Sequence, residues 1–265
     1  MNESNNNLLD STDDVATRVH INTTYGNNNL REWVPNHLNL KKDEKVLDLG
    51  CGNGLHIRDV ANIIKGENCC FAVDYDKDMI SQSLKLSSNS SPKINFFTMS
   101  MDDIGTSNTF SNNSFDLIYS VYAFYYTKNE INLLNSLKTK LKSDGRISII
   151  GPHSDNNKDW WTFLFQFIKI DDNYCKYTNT EFMKNVENYA KINFKEIEIT
   201  EFVNKISIPS IDVFRQYWQS NVYYDSEYDS EFEYYAKKHF DEFDNFQYSK
   251  KAALITMKKP SSYFL

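Results

Sequence analysis

Residues 45 to 56 read KVLDLGCGNGLH: a short apolar run closed by an aspartate, then glycines at 50, 52 and 54. The run has the makings of a buried strand, and HIRDVANII (56–64) behind it predicts a helix with Ile57, Val60 and Ile64 on one face. Glycines just past a strand let the chain turn sharply and let a ligand approach the backbone, while the following helix offers unpaired N–H groups to an anion. The spacing is G-x-G-x-G, with Leu55 where the dinucleotide fingerprint G-x-G-x-x-G has its third glycine. Asp48 points the same way, because a carboxylate this close would repel a pyrophosphate. It suits a ligand with a cation at that point, such as the ammonium group of an amino acid.

Strands and helices alternate outward from this stretch. CCFAVDY (69–75) predicts a second buried strand and DKDMISQSLKLS (76–87) a helix with Asp76 as N-cap. INFFTMS (94–100) is a third strand, and FDLIYSVYAFYY (115–126) holds a fourth. NEINLLNSLKTKLK (129–142) is an amphipathic helix and GRISIIGP (145–152) a fifth strand. Strands this apolar, separated by helices, argue a parallel α/β sheet covered on both faces. FKEIEITEFV (194–203) and KAALITMKK (251–259) read as two more strands, and the stretch between them, about 206–248, is aromatic, acidic and mostly helical in pattern. Such a long connection inside one domain usually carries function. Leu30, Trp33, Val34 and Leu38 repeat at helical spacing around Pro35. Residues 1–17, Asn-rich and acidic, are expected to be a disordered tail, and 18–265 a single domain.

Composition narrows the function. Lys and Arg number 29 against 36 Asp and Glu, a net charge of −7, with no basic cluster able to track a nucleic-acid backbone, so no nucleic-acid partner is expected. The N-terminus lacks the charged and apolar regions of a signal peptide, and no 18-residue apolar run occurs. A cytoplasmic protein with no membrane partner is expected. Cysteines 51, 69, 70 and 175 have neither metal-ligand nor disulfide-framework spacing, which fits a reducing compartment and no bound metal. Aromatic residues make up 15% of the chain and gather in YAFYY (122–126) and YWQSNVYYDSEY (217–228).

S-adenosylmethionine offers a carboxylate for the helix end, an ammonium for Asp48 and a ribose for Asp74, which ends the second strand and is placed to accept hydrogen bonds from both ribose hydroxyls. The sequence resembles the class I S-adenosylmethionine-dependent methyltransferases in five motifs in order: VLDLGCGNG, FAVDYDKDMI, MDDI (101–104), FDLIYSVYAFYY and LKSDGRISIIGP. The resemblance spans about residues 40–152 and implies a seven-stranded doubly wound Rossmann-like sheet, its last strand antiparallel beside the sixth. It also implies that Gly50 and Gly52 face the methionine moiety with Asp48 near its ammonium, and that Asn53 is among the cofactor-binding residues. Asp74 would bind the ribose and Tyr75 pack on the adenine, while Met101 and Asp102 flank the adenine edge and Ser120 lies under the cofactor. Many members have Asp where this chain has Ser100, so adenine recognition here would rest more on backbone and Asp102.

The reading is methyl transfer to an O or N atom of a small-molecule acceptor. RNA or protein methylation, and a non-catalytic S-adenosylmethionine-binding module, are the alternatives. A hydroxyl acceptor needs a general base, and His153, just past the fifth strand, is the candidate. After the fourth strand, relatives that methylate nucleic acid or glutamine nitrogens often carry Asn/Asp-Pro-Pro-aromatic where this chain has SVYA (120–123), which argues for a small acceptor, and Tyr125 and Tyr126 just beyond are candidate acceptor contacts. Tyr25, in the segment before the first helix, is a candidate cofactor contact. Arg215, Trp218 and Tyr223 are expected to roof a pocket within a lid formed by 206–248 and the N-terminal segment.

Overall fold

The computed structural model describes residues 12–89, 93–169 and 181–261. One sheet organises them, built from β1 (Val46–Leu49), β2 (Cys70–Asp74), β3 (Ile94–Thr98), β4 (Phe115–Val121), β5 (Leu141–Pro152), β6 (Phe194–Ile208) and β7 (Phe246–Pro260) in the order β3-β2-β1-β4-β5-β7-β6. The pairs β3-β2, β2-β1, β1-β4 and β4-β5 are parallel, and β7 runs antiparallel to β5. Winding reverses between β1 and β4, which leaves a crevice past their carboxyl ends where α/β sheets take ligands. The last strand thus lies between the fifth and the sixth.

The chain divides into two compact units. One comprises Leu30–Ser154, Tyr177–Phe202 and Ala252–Leu265. Its helices are α2 (Leu30–His37), α3 (Leu55–Ile64), α4 (Lys77–Leu86), α5 (Glu130–Lys140) and α7 (Glu181–Asn193). All four residues of β1 are buried, as expected of a strand covered on both faces. One layer packs Leu47, Leu49, Ile118 and Ile149 with α5 and α7, and the other packs Val46, Ala72 and Tyr119 with α2 and α3. The Asp76 side chain accepts from the backbone N–H of Asp78 and Met79, so it caps α4 as its position foretold.

The other unit comprises Met1–Asn29, Asp155–Lys176 and Val203–Lys251. It contains α1 (Thr12–Thr24), α6 (Lys158–Leu164), α8 (Ile211–Gln219) and α9 (Asp229–Glu242) around an aromatic core of Trp160, Phe163, Phe214, Tyr217, Trp218 and Phe232. The expected insertion 206–248 falls within this unit. The tail expected over residues 1–17 is helical from Thr12 onward. Asp13 and Asp14 suit the positive end of α1, and Ile21 is buried in the aromatic core, which anchors the helix. Residues 1–11 lie outside the described residues.

Candidate cofactor site

The turn after β1 is set by backbone conformations that side chains seldom adopt: Gly50, Gly52 and Gly54 have φ of 69°, 53° and 74°. Each is glycine for its own reason. A Cβ at Gly50 would lie 2.4 Å from Ala123 Cβ and 3.2 Å from Met101 Cε, so the turn is pressed against the residues that follow β3 and β4. A Cβ at Gly52 would meet nothing within 4 Å, which leaves a cradle open to a ligand. Gly54 opens α3 and abuts Ser83 and Phe96. Asn53 sits between the last two glycines, and its carbonyl accepts from Arg58 at 2.7 Å.

Two carboxylates face this turn from the strand ends. Asp48 is 2% exposed, and its Oδ2 accepts from the Tyr119 hydroxyl at 3.1 Å. Burial above all, then the nearby Asp74, raises Asp48 to about 7, while the Tyr119 bond works in the opposite sense. Asp74 ends β2, and its two oxygens accept from the backbone N–H groups of Gly52 at 2.8 Å and Asp76 at 3.0 Å. Each oxygen keeps a lone pair, so the group retains the capacity to accept from hydroxyls. The open Gly52 cradle, the buried acid without a cation and the doubly anchored acid together fit an amino-acid nucleoside such as S-adenosylmethionine.

Residues expected to flank the adenine gather beside this turn. Tyr75 follows Asp74 and is exposed. Ser100 caps the 3₁₀ turn Met101–Asp103, its hydroxyl accepting from Asp102 N–H at 3.3 Å. The Asp102 carboxylate accepts from the Thr127 hydroxyl and from Lys128 N–H, which ties the loop after β3 to the one after β4. Ser120, expected under the cofactor, is fully buried within the sheet, and its hydroxyl donates to Leu49 O at 2.9 Å.

On the acceptor side, the Tyr125 and Tyr126 ring centroids are 4.6 Å apart, with Tyr125 against Phe182 and Tyr126 exposed. His153 follows β5, partly exposed, with Nε2 3.9 Å from a Glu201 carboxylate oxygen. His56, at the start of α3, is pushed down to about 4 by burial. Three residues of β4 and the segment after it are not singled out by the sequence. Tyr119 pairs in register with Asp48. Ala123 meets Gly50. Tyr122 holds φ of 52°, an unusual conformation for a bulky residue and one that gathers at functional sites. A signal existed for Tyr119: aligning β1 with β4 in parallel sets it opposite Asp48.

The remaining candidates belong to the aromatic unit. Tyr25 lends its carbonyl to Ser207 N–H at 3.0 Å. Tyr223 is buried with its ring against Trp161. Trp218, expected in a pocket roof, is fully buried, stacked on Phe232 with its indole N–H donating to Asp229 at 3.0 Å. Arg215, expected to meet an acidic substrate group, is paired with Asp212 and Glu233. Among the described residues no cluster of His, Cys, Asp or Glu could hold a metal, and no helix is long and apolar enough to cross a membrane.

Charge is divided unevenly between the units. Across its three segments the sheet unit has 19 basic and 19 acidic residues, net zero, and the aromatic unit has 10 basic and 17 acidic, net −7.

The fold has counterparts among known proteins. Residues 46–145 match the model of a family described as a methyltransferase domain. The YcgJ protein of Bacillus subtilis superposes with a TM-score of 0.58 at 15% identity, over 88% of this chain and 98% of that one. A phosphoethanolamine N-methyltransferase 2 of Haemonchus contortus, solved with phosphomonomethylethanolamine and S-adenosylhomocysteine, gives 0.54 at 16% identity over 94% of this chain and 58% of that one. Among curated sequences, a tRNA U34 carboxymethyltransferase of Pseudoalteromonas atlantica is 22% identical over 193 residues, 69% of this chain and 54% of that protein. The chain spans about half the length of the curated relatives it matches first.

Proposed function

We propose, from the premise that this chain carries a class I S-adenosylmethionine-dependent methyltransferase domain, that it transfers a methyl group from S-adenosylmethionine to an O or N atom of a small molecule. The observation that carries the cofactor half is the Gly52 cradle, open beside two carboxylates of unlike setting. Asp48 offers a buried negative group to an ammonium, and the start of α3 offers N–H groups to a carboxylate. Asp74 accepts from ribose hydroxyls. Gly50 and Gly52 bring backbone close to the methionine portion, while Tyr75, Met101 and the turn capped by Ser100 border the adenine. When bound, the cofactor supplies an electrophilic methyl group on a sulfonium.

The chain's own task is then to align a nucleophile in line with that methyl, and alignment of this kind is worth about 7–11 kcal/mol in well-oriented systems. Tyr125 and Tyr126 hold the acceptor through ring faces and hydroxyls. His153 takes the proton when the acceptor is a hydroxyl; an amine or a carboxylate would need no such help. The charge distribution supports a small acceptor, because neither unit carries the positive excess that a polyanion requires.

One observation favours a second reading. The curated relatives named tRNA U34 carboxymethyltransferase raise an RNA acceptor. Transfer of radiolabelled methyl from S-adenosylmethionine into a cell extract, fractionated into small molecules, RNA and protein, decides between them. Label among small molecules is expected; label in RNA or protein would replace the acceptor assignment, and no label despite cofactor binding would leave a binding module.

A further inference from the structure

Asp48 is held in a setting that contact with a cofactor does not by itself explain. Its residue is 2% exposed, yet the structure gives its carboxyl group one hydrogen bond, from the neutral Tyr119 hydroxyl. The titratable groups that bear on it are Tyr119 on β4, Asp74 at the end of β2 and Cys51 in the glycine turn. None is a cation, and no Lys, Arg or His among the described residues pairs with it. A carboxylate withdrawn from water, with one neutral donor and a second acid nearby, is costly, and the uncharged acid is the cheaper form. The value of about 7, raised mainly by burial, agrees with that geometry. With Oδ2 engaged by Tyr119, Oδ1 is the oxygen left to carry a proton.

We propose that Asp48 stores a proton in the ligand-free protein and that docking of a cationic ammonium group beside it expels that proton to solvent. This rests on the cofactor reading above and adds a coupling to it. The Asp48 O–H bond breaks heterolytically, H⁺ passes to the buffer, and the ammonium keeps its own hydrogens, one of which replaces the lost proton as partner of Oδ1. Tyr119 stays bonded to Oδ2 throughout and so selects the oxygen that exchanges. Its neighbours are unsuited to the same role. Burial, reinforced by Asp48, holds the Tyr119 phenol well above its usual range, and burial pushes up the Cys51 thiol. His56, pushed down to about 4, stays neutral near pH 7.

The test is calorimetry of the full chain with S-adenosylhomocysteine at pH 6, 7 and 8, in paired buffers of unlike ionisation enthalpy. Proton linkage predicts release of nearly one proton at pH 6, about half at pH 7 and almost none at pH 8, with affinity rising roughly tenfold across that span. Asp48→Asn should bind more weakly with that release gone, and Tyr119→Phe, which removes a donor to the charged form, should move the midpoint to higher pH. Binding by the wild type without proton release overturns the coupling alone, as does release that persists in Asp48→Asn. Should the Asn variant bind too weakly to measure, the Phe variant decides: an unmoved midpoint overturns the coupling. No binding of S-adenosylhomocysteine at any pH overturns the cofactor reading and the coupling with it.

Discussion

Three glycines in one turn make different demands, and substitution separates them. Gly50→Ala meets both left-handed strain, about 1–2 kcal/mol, and the Ala123 side chain. It should lower the melting temperature by several degrees, read by thermal unfolding of the ligand-free protein. Gly52→Ala incurs the same strain without the clash, so it should melt between Gly50→Ala and the wild type while S-adenosylhomocysteine affinity falls sharply in calorimetry. Asp74→Ala should weaken the same ligand by about 1.5–3 kcal/mol, the range for hydrogen bonds to a charged group; unchanged affinity would remove the ribose assignment. Asp48 makes a stability prediction of opposite sense. Its folded-state value is raised, so between the usual carboxylate range and about pH 7 the native state holds more protons than the unfolded one, and stability falls as pH rises through that window. Asp48→Asn removes this penalty and should melt higher than the wild type at pH 8, by on the order of 1–3 kcal/mol, with the gap closing toward pH 4. A gap that widened in acid would contradict the burial argument.

Among helices and strands, the clearest local test is the α4 cap. Asp76→Ala removes the acceptor for two N–H groups and should cost about 1 kcal/mol in urea unfolding. This cap was legible because its chemistry is local, and so were β1 to β5, whose apolar runs are punctuated by Gly, Asp and Pro. Residues 154–193 give no clear element signal in the sequence although α7 carries a regular buried stripe, Phe182, Val186, Tyr189 and Ala190. Lys, Asn and Glu interrupt that stripe, and no glycine or proline marks its ends. Over residues 12–17 the sequence reads as tail although α1 is helical there, because the helix is anchored by a contact distant in sequence, Ile21 in the aromatic core. The site divides along the same line. Gly50, Gly52, Asp48 and Asp74 announce themselves by spacing, whereas the Asp48–Tyr119 pair and the Gly50–Ala123 contact exist only once β1 and β4 lie side by side. Aromatic residues misled most: Trp218 looked like pocket lining, but a fully buried ring with its N–H satisfied is core.

At the scale of the whole molecule, charge bears on the acceptor. A sheet unit of zero net charge and a second unit of −7 should not retain nonspecific RNA at physiological salt. A mobility-shift titration with unmodified RNA should show no complex at micromolar protein; a salt-sensitive complex would move the acceptor assignment toward RNA.

The placement of tryptophan gives each unit its own optical signature. Trp160, Trp161 and Trp218 all lie in the aromatic unit, so intrinsic emission on excitation near 295 nm reports chiefly on that part of the chain. Trp33 alone reports from the sheet unit, stacked on His37 with ring centroids 4.1 Å apart. A protein stripped of its other three tryptophans would therefore report the unfolding of the sheet unit by itself, through the burial of Trp33.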